Sequence, residues 1–175
     1  MIGEFRGSYR FLSNFYPAEV AVPPMSWPGG FTTRGPITFG SAEAAFQAGK
    51  CVSVSDVHRL AAAETPGEAK AIGRRVVLTE SWDLDRLGFM ALVVGRKFRP
   101  DTPLAERLLA TGDHVLVEGN DWHDQFWGTC VCARHDGVPG QNWLGTLLTQ
   151  RRAYLRGDTA GVLADRITTR ISEAP

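Results

Sequence analysis

The chain has 175 residues, 43% apolar and 22% charged, with a formal net charge of zero. That is enough chain of ordinary composition for one domain with its own core, and the charge balance excludes a broad basic surface for nucleic acid while leaving room for a local basic groove. No stretch approaches the roughly 18 apolar residues that span a membrane, and the start, MIGEFRGSYR, lacks the apolar segment of a secretory signal, so the expected setting is cytoplasmic, with no membrane partner.

Taken in chain order, FRGSYRFLSNFY (5–16) predicts a strand, a turn and a buried aromatic loop. Residues 17–36 hold five prolines and three glycines, which predicts a long surface excursion. ITFG (37–40) is a short strand, and Ser41 caps a helix running to about Val52. Asp56–Ala63 is a second helix. In TPGEAKAIGRRV, Thr65 at the N-cap, Pro66 at the first helical position and Glu68 at the third form a capping-box pattern. Longer helices follow over 82–98 and 142–157, with a short one at Pro103–Leu109. HVLVEG (114–119) alternates like a strand, and FWGTCVCARHDG reads as a strand into a turn. The basic stretch RRAYLR (151–156) reads as a solvated helix end. Residues 158–172 suggest a peripheral last helix. The pattern is α+β, a predominantly helical single domain over 1–175 with a few short strands.

SAEAAFQAGK (41–50) carries the chemistry. At 100° per residue, Glu43, Gln47 and Lys50 fall in an arc of about 60°, opposite Ala44, Ala45 and Ala48. A solvated stripe on a core helix is the plain alternative. Facing a groove, the same three groups suit cleavage of an N-glycosidic bond. A partly buried carboxylate is an acid or base, an amine can capture a ring-opened sugar as an imine, and an amide can hold sugar hydroxyls. Trp82 and Trp127 are candidate stacking surfaces, and the glycine after Trp127 permits a ligand to come close. Sixteen arginines against three lysines, Lys50, Lys70 and Lys97, raise the question whether a titratable amine is needed at those positions. Cys51, Cys130 and Cys132 read as reduced thiols. The Cys-x-Cys pair lacks a second pair or a nearby histidine cluster, so no metal is expected.

In one order the chain holds FLSNFYP, S-x-E-x-x-F-Q-x-x-K, E-A-K-x-x-G-R, W-D, K-F, L-V-E, D-x-x-W-G and N-x-L-G. This set resembles the NADAR, or YbiA-like, family of N-glycosidases over about residues 5–156. The resemblance implies the compact, mostly helical α+β fold of that family and hydrolysis of N-glycosidic bonds without a cofactor. The implied substrates are nucleotide-like: phosphorylated ribosylamines of the riboflavin route, or ADP-ribose on guanine in DNA or RNA, in some members opposite an ADP-ribosylating toxin. By position it implies Glu43 as general acid/base, Lys50 as the amine nearest the ribose and Asp124 as the second carboxylate. Ser13, Asn14, Phe15, Gln47, Trp82, Lys97, Trp127, Gly128 and Asn142 are the implied substrate-binding residues.

The chain departs from the family pattern in four places. Ala44 stands where a histidine usually follows the glutamate. GNDWHDQFWG is longer than usual, so Asp121 competes with Asp124. A glycine usual after the W-G start is replaced within TCVC, and the insert at 21–36 bears on substrate size. Two other readings compete with an enzyme: a non-catalytic ADP-ribose or nucleotide binder, against which the intact Glu43, Lys50 and Asp124 speak, and a purely structural partner protein with no nucleotide affinity.

Overall fold

The computed structural model describes residues 1–158; the helix expected at 158–172 lies almost wholly outside them. The chain gathers into two compact units, a central one, Asn14–Lys97, and a terminal one made of Met1–Ser13 with residues 98–158.

In the central unit the antiparallel strands β1 (Pro17–Val22) and β2 (Ile37–Ser41) are followed by helices α1 (Ala42–Gly49), α2 (Val54–Ala61), α3 (Pro66–Gly73) and α4 (Trp82–Lys97). Val20 pairs with Phe39 and Val22 with Ile37, and an irregularity between Pro17 and Val20 re-aims the start of β1. Local sequence sets the helix starts. Ser41 Oγ accepts from Ala44 N at 3.1 Å, Ser53 Oγ from Ser55 N at 3.2 Å, and Thr65 Oγ1 from Glu68 N at 3.1 Å. Glu68 completes its reciprocal cap one residue further back than the motif implies, accepting from Glu64 N at 2.9 Å.

The expected surface excursion at 17–36 is corrected by the structure. Its first part is β1, and its second folds back through the Ser26–Thr32 bridge to place Trp27, 2% exposed, against Phe31, Phe39 and Phe89. The indole nitrogen donates to Thr33 Oγ1 at 3.1 Å, so its polar end is satisfied in the core. Prolines and glycines mark the turns here, but the aromatic between them decides burial.

Residues 5–16 do not open with a strand: in the terminal unit Gly7–Leu12 forms a 3-10 helix with Phe11 and Leu12 buried. Phe11 meets Phe98 edge-on and lies under the Arg107 guanidinium, 4.1 Å from the ring centre. Helices α5 (Pro103–Leu109) and α6 (Trp143–Leu155) pack together. The strand expected at 114–119 shrinks to the parallel Ile2–Leu116 bridge and a two-residue β3 (Gly119–Asn120), itself parallel to a two-residue β4 (Thr129–Cys130). Ile2 and Gly3 supply main-chain partners to this segment, a contact too distant in sequence for alternation to reveal.

The basic end of α6 is also corrected. Arg151 and Arg152 are buried. Arg151 Nε donates to Phe98 O at 2.9 Å, and Arg152 donates to Thr111 Oγ1 at 2.7 Å and to His114 O at 3.0 Å. Only the last arginine of the run, Arg156, works near the surface, on Asp113 at 2.6 Å. Arg152→Ala should therefore destabilise the protein by about 2–3 kcal/mol in urea unfolding, because it removes the charged donor to the buried Thr111 hydroxyl and the partly buried His114 carbonyl; a solvated helix end would change by less than about 0.5 kcal/mol.

Candidate active site

Helix α1 is buried from Ala42 to Gly49, with Lys50 half-buried at its C-cap, so the solvated-stripe alternative fails. α1 packs on α2, α3, α4 and both strands of its unit; its alanines permit that approach on every side. Asn14 fixes its start by accepting from Glu43 N at 3.0 Å, while the Asn14 amide reaches Met90 Sδ at 3.6 Å.

Within α1, Gln47 Nε2 donates to Glu43 Oε1 at 2.8 Å. Burial pushes the Glu43 carboxyl above the usual carboxylate range; the Gln47 hydrogen bond and the charges of Lys70, Lys50 and Arg74 oppose this without cancelling it. Burial likewise lowers the Lys50 amine below its ordinary value, against the pull of Glu43. An acid inclined to hold its proton thus sits near an amine inclined to lose its own. The other Gln47 amide atom, Oε1, is buried with no hydrogen-bond partner. It lies against Gly73 of α3, where an added Cβ would come within 2.0 Å.

Lys70 and Arg74 were missed as site residues, although both lie in the E-A-K-x-x-G-R motif. Their spacing of four places them on one face of α3, and Lys70 also stands 5.1 Å from the centre of the Phe15 ring. Trp82 is half-buried at the start of α4 and packs on Phe46 and Phe89 at 5.1 and 6.3 Å. Lys97 is buried, 5.8 Å from the Tyr16 ring centre. Cys51, at the foot of α1, is fully buried; its thiol donates to Gln47 O at 3.6 Å and is pushed up to about 12 by burial and by Asp56.

The remaining expected residues gather in the terminal unit. Ser13 caps the 3-10 helix through its own N–H, which donates to Arg10 O. Asp124 is half-buried, and its Oδ1 accepts from Phe126 N and Trp127 N at 3.0 and 2.8 Å, while the Asn120 side chain grips the Asp124 main chain at both N and O. Asp121 is exposed. The carbonyls of Phe126 and Trp127 in turn accept from Trp143 N and Leu144 N, the first turn of α6. Gly128 serves the backbone: a Cβ there would meet Glu118 O at 2.0 Å. Asn142 adopts a left-handed conformation (φ 50°) and bonds Glu118 N and Leu116 O through its amide at 3.0 and 2.8 Å. It pins the loop.

A further correction concerns the sulfurs. The Cys-x-Cys pair does have histidines beside it: His123 and His135 come in from either side, with Cys132 Sγ 3.3 Å from Nδ1 of each.

With this geometry in view, the comparisons define the class. The NADAR domain family matches residues 3–156, and the chain belongs to that family. It is 33% identical over 153 residues to a riboflavin biosynthesis protein of Vibrio vulnificus, covering 85% of this chain but 36% of that one. It is equally identical, over 153 residues, to an N-glycosidase of Nostoc punctiforme, with 85% and 86% covered. The chain thus spans about a third of the first relative and most of the second. Among solved structures it is similar to the Escherichia coli protein YbiA, determined by NMR, with a TM-score of 0.67, 26% identity, and 90% and 86% of the two chains covered. No helix among the described residues is long and apolar enough to cross a membrane.

Two outcomes test this geometry. Glu43 holds its proton more tightly when folded, so between the ordinary 4.5 and its raised folded value the native state binds more protons than the unfolded one, and stability falls as pH rises through that window. Glu43→Gln keeps the acceptor for Gln47 and removes the buried charge; it should raise stability at pH 7 by about 1 kcal/mol, or roughly 3 °C in Tm, and flatten that pH dependence in calorimetry. Gly73→Ala should displace Gln47 from Glu43 and cost about 1–3 kcal/mol by the same measurement.

Proposed function

We propose that the protein is an N-glycosidase that hydrolyses the bond between a phosphorylated ribose and the nitrogen of a base or amine. The carrying observation is the buried Glu43, held by Gln47 and biased toward its protonated form, with the half-buried Lys50 biased toward the free amine. The similarity to a protein named as an N-glycosidase supports the reaction class.

In this reading the Glu43 carboxyl gives its proton to the departing nitrogen as positive charge develops at the anomeric carbon, and the resulting carboxylate stabilises that charge and then takes a proton from the water that adds to that carbon. Where the substrate is a glycosylamine whose ring opens, Lys50 attacks the imine carbon through its free electron pair and expels the amine. Water then hydrolyses the lysine imine, taking its proton balance through Glu43. Lys70 and Arg74, whose charges reach Glu43 from α3, supply a cationic setting for the phosphate. Trp82, which packs on Phe46 of α1, is a wall for the base. Ala44, in place of the usual histidine, leaves proton transfer to Glu43 alone.

Two substrate classes follow: a ribosylaminopyrimidine phosphate, which the name of the Vibrio relative supports, and ADP-ribosylated guanine. Zero net charge favours a nucleotide-sized ligand or short single strand over a long nucleic-acid footprint. Incubation with each, side by side, should release free sugar phosphate or ADP-ribose from one of them. Glu43→Gln should lower kcat by about 10²- to 10⁴-fold with KM little changed. Borohydride added during turnover of a glycosylamine should attach the sugar to Lys50, and Lys50→Arg should abolish the adduct. Tight binding of either ligand with no turnover, the same in wild type and Glu43→Gln, would reject the enzyme in favour of a nucleotide binder.

A further inference from the structure

The terminal unit holds a second chemical cluster that the reaction above does not use. The donor atoms of His123, Cys130, Cys132 and His135 all lie within 4.8 Å of one another. Cys130 Sγ is 3.1 Å from Cys132 Sγ, Cys132 Sγ is 3.3 Å from Nδ1 of both histidines, and those two nitrogens are 3.4 Å apart. From these residues we propose that the protein binds one zinc ion in a closed Cys2His2 site that ties the loop carrying Asp124 to the exit of β4.

The distances fit. Zinc with Zn–S of about 2.3 Å and Zn–N of about 2.05 Å defines a tetrahedron whose edges run from roughly 3.3 to 3.8 Å. The four separations among Cys132, its sulfur neighbour and the two imidazoles lie at or just below the short end of that range, and Cys130 is within 4.8 Å of both histidines, so small side-chain rotations let the four groups close on one ion. Both imidazoles turn the same nitrogen, Nδ1, toward the sulfurs. A disulfide between Cys130 and Cys132 would account for the sulfurs alone, and would leave two imidazole nitrogens crowded against Cys132 without a reason. Two thiols and two imidazoles suit a borderline-soft, tetrahedral ion, which selects zinc over magnesium or calcium.

Backbone conformation points the same way. His123 sits at φ 69°, a region in which a non-glycine residue is held at some cost and which recurs at ligand-holding positions. The spacing H-x6-C-x-C-x2-H departs from the paired Cys-x-x-Cys pattern by which zinc sites are read from sequence, so the cluster becomes visible only once the chain is folded. Binding forms two Zn–S bonds and releases the two thiol protons to solvent, while the imidazoles bind neutral. The charge of the ion and its two thiolates then sums to zero, which suits a site running from the buried Cys130 to the exposed His123. Four protein ligands leave no position for water, so the ion is a structural tether and not a Lewis acid. What it would tether is specific: His123 immediately precedes Asp124, and Gln125 accepts from Cys130 N at 2.9 Å.

The test uses the full chain, reduced and stripped with a chelator, then titrated with zinc against a chromophoric competitor and, separately, with cobalt. Expected are one zinc per chain, a rise in Tm on zinc addition, and cobalt spectra with thiolate charge transfer and tetrahedral d–d bands. Cys132→Ser should abolish stoichiometric binding. Because that variant also alters packing, His123→Asn is the second: asparagine tolerates the left-handed backbone, so the fold and apo Tm should persist while tight binding and the zinc-induced Tm rise are lost. No zinc above background, a Cys130–Cys132 disulfide in the protein as isolated, or equal zinc binding by both variants would each overturn the proposal. None of these readouts depends on glycosidase activity.

Discussion

The burial of α1 on all sides is the constraint on which the central unit depends. A short helix enclosed by two strands and three other helices has no solvated face on which to keep a carboxylate. Glu43 nevertheless occupies its first turn. The helix N-terminus and the Gln47 amide favour its charge, and desolvation disfavours it more. Aligning an acid, an amide and an amine in one file makes them neighbours; enclosing the file shifts the acid and the amine away from their solution behaviour. Alanine at 44, 45 and 48 is thus part of the chemistry, because smaller neighbours bring the surrounding elements closer and raise the desolvation of the acid.

Much of this was legible in the sequence, for local reasons. N-cap residues with proline or an acid behind them marked α1 and α3, since capping is decided within four residues. The Glu43–Gln47–Lys50 file followed from helical spacing alone. What stayed hidden depended on partners far along the chain. β1 lay within a proline-rich stretch and is defined by its pairing with β2. The arginines of α6 look like a soluble end until Phe98, Thr111 and His114 turn carbonyls and a hydroxyl toward them. Gly128 suggested room for a ligand and instead admits a main-chain carbonyl.

The terminal unit shows how a fold manages with little regular sheet. β3 and β4 are two residues each, too short to hold a loop by ladder hydrogen bonds. Side-chain amides take over: Asn120 clasps the main chain of Asp124, Asn142 bridges Leu116 and Glu118, and Gln125 spans Cys130 and Val138. Each amide supplies a donor and an acceptor in fixed relation, as a peptide unit does. The motif residues Asp124, Trp127 and Asn142 are therefore held by an amide scaffold, and a residue can belong to a family motif because it builds the loop as well as because it meets a ligand.

The enclosed thiol at the foot of α1 has a practical corollary. With no exposed surface and its ionisation displaced to about 12, Cys51 offers alkylating reagents neither access nor thiolate at neutral pH. Maleimide or iodoacetamide chemistry on the folded, metal-free protein is thereby confined to the terminal unit, where Cys132 is the more accessible thiol. A spectroscopic probe can be attached to one unit without blocking or mutating the sulfur of the other, and delayed modification of Cys51 becomes a clock for the opening of the central unit.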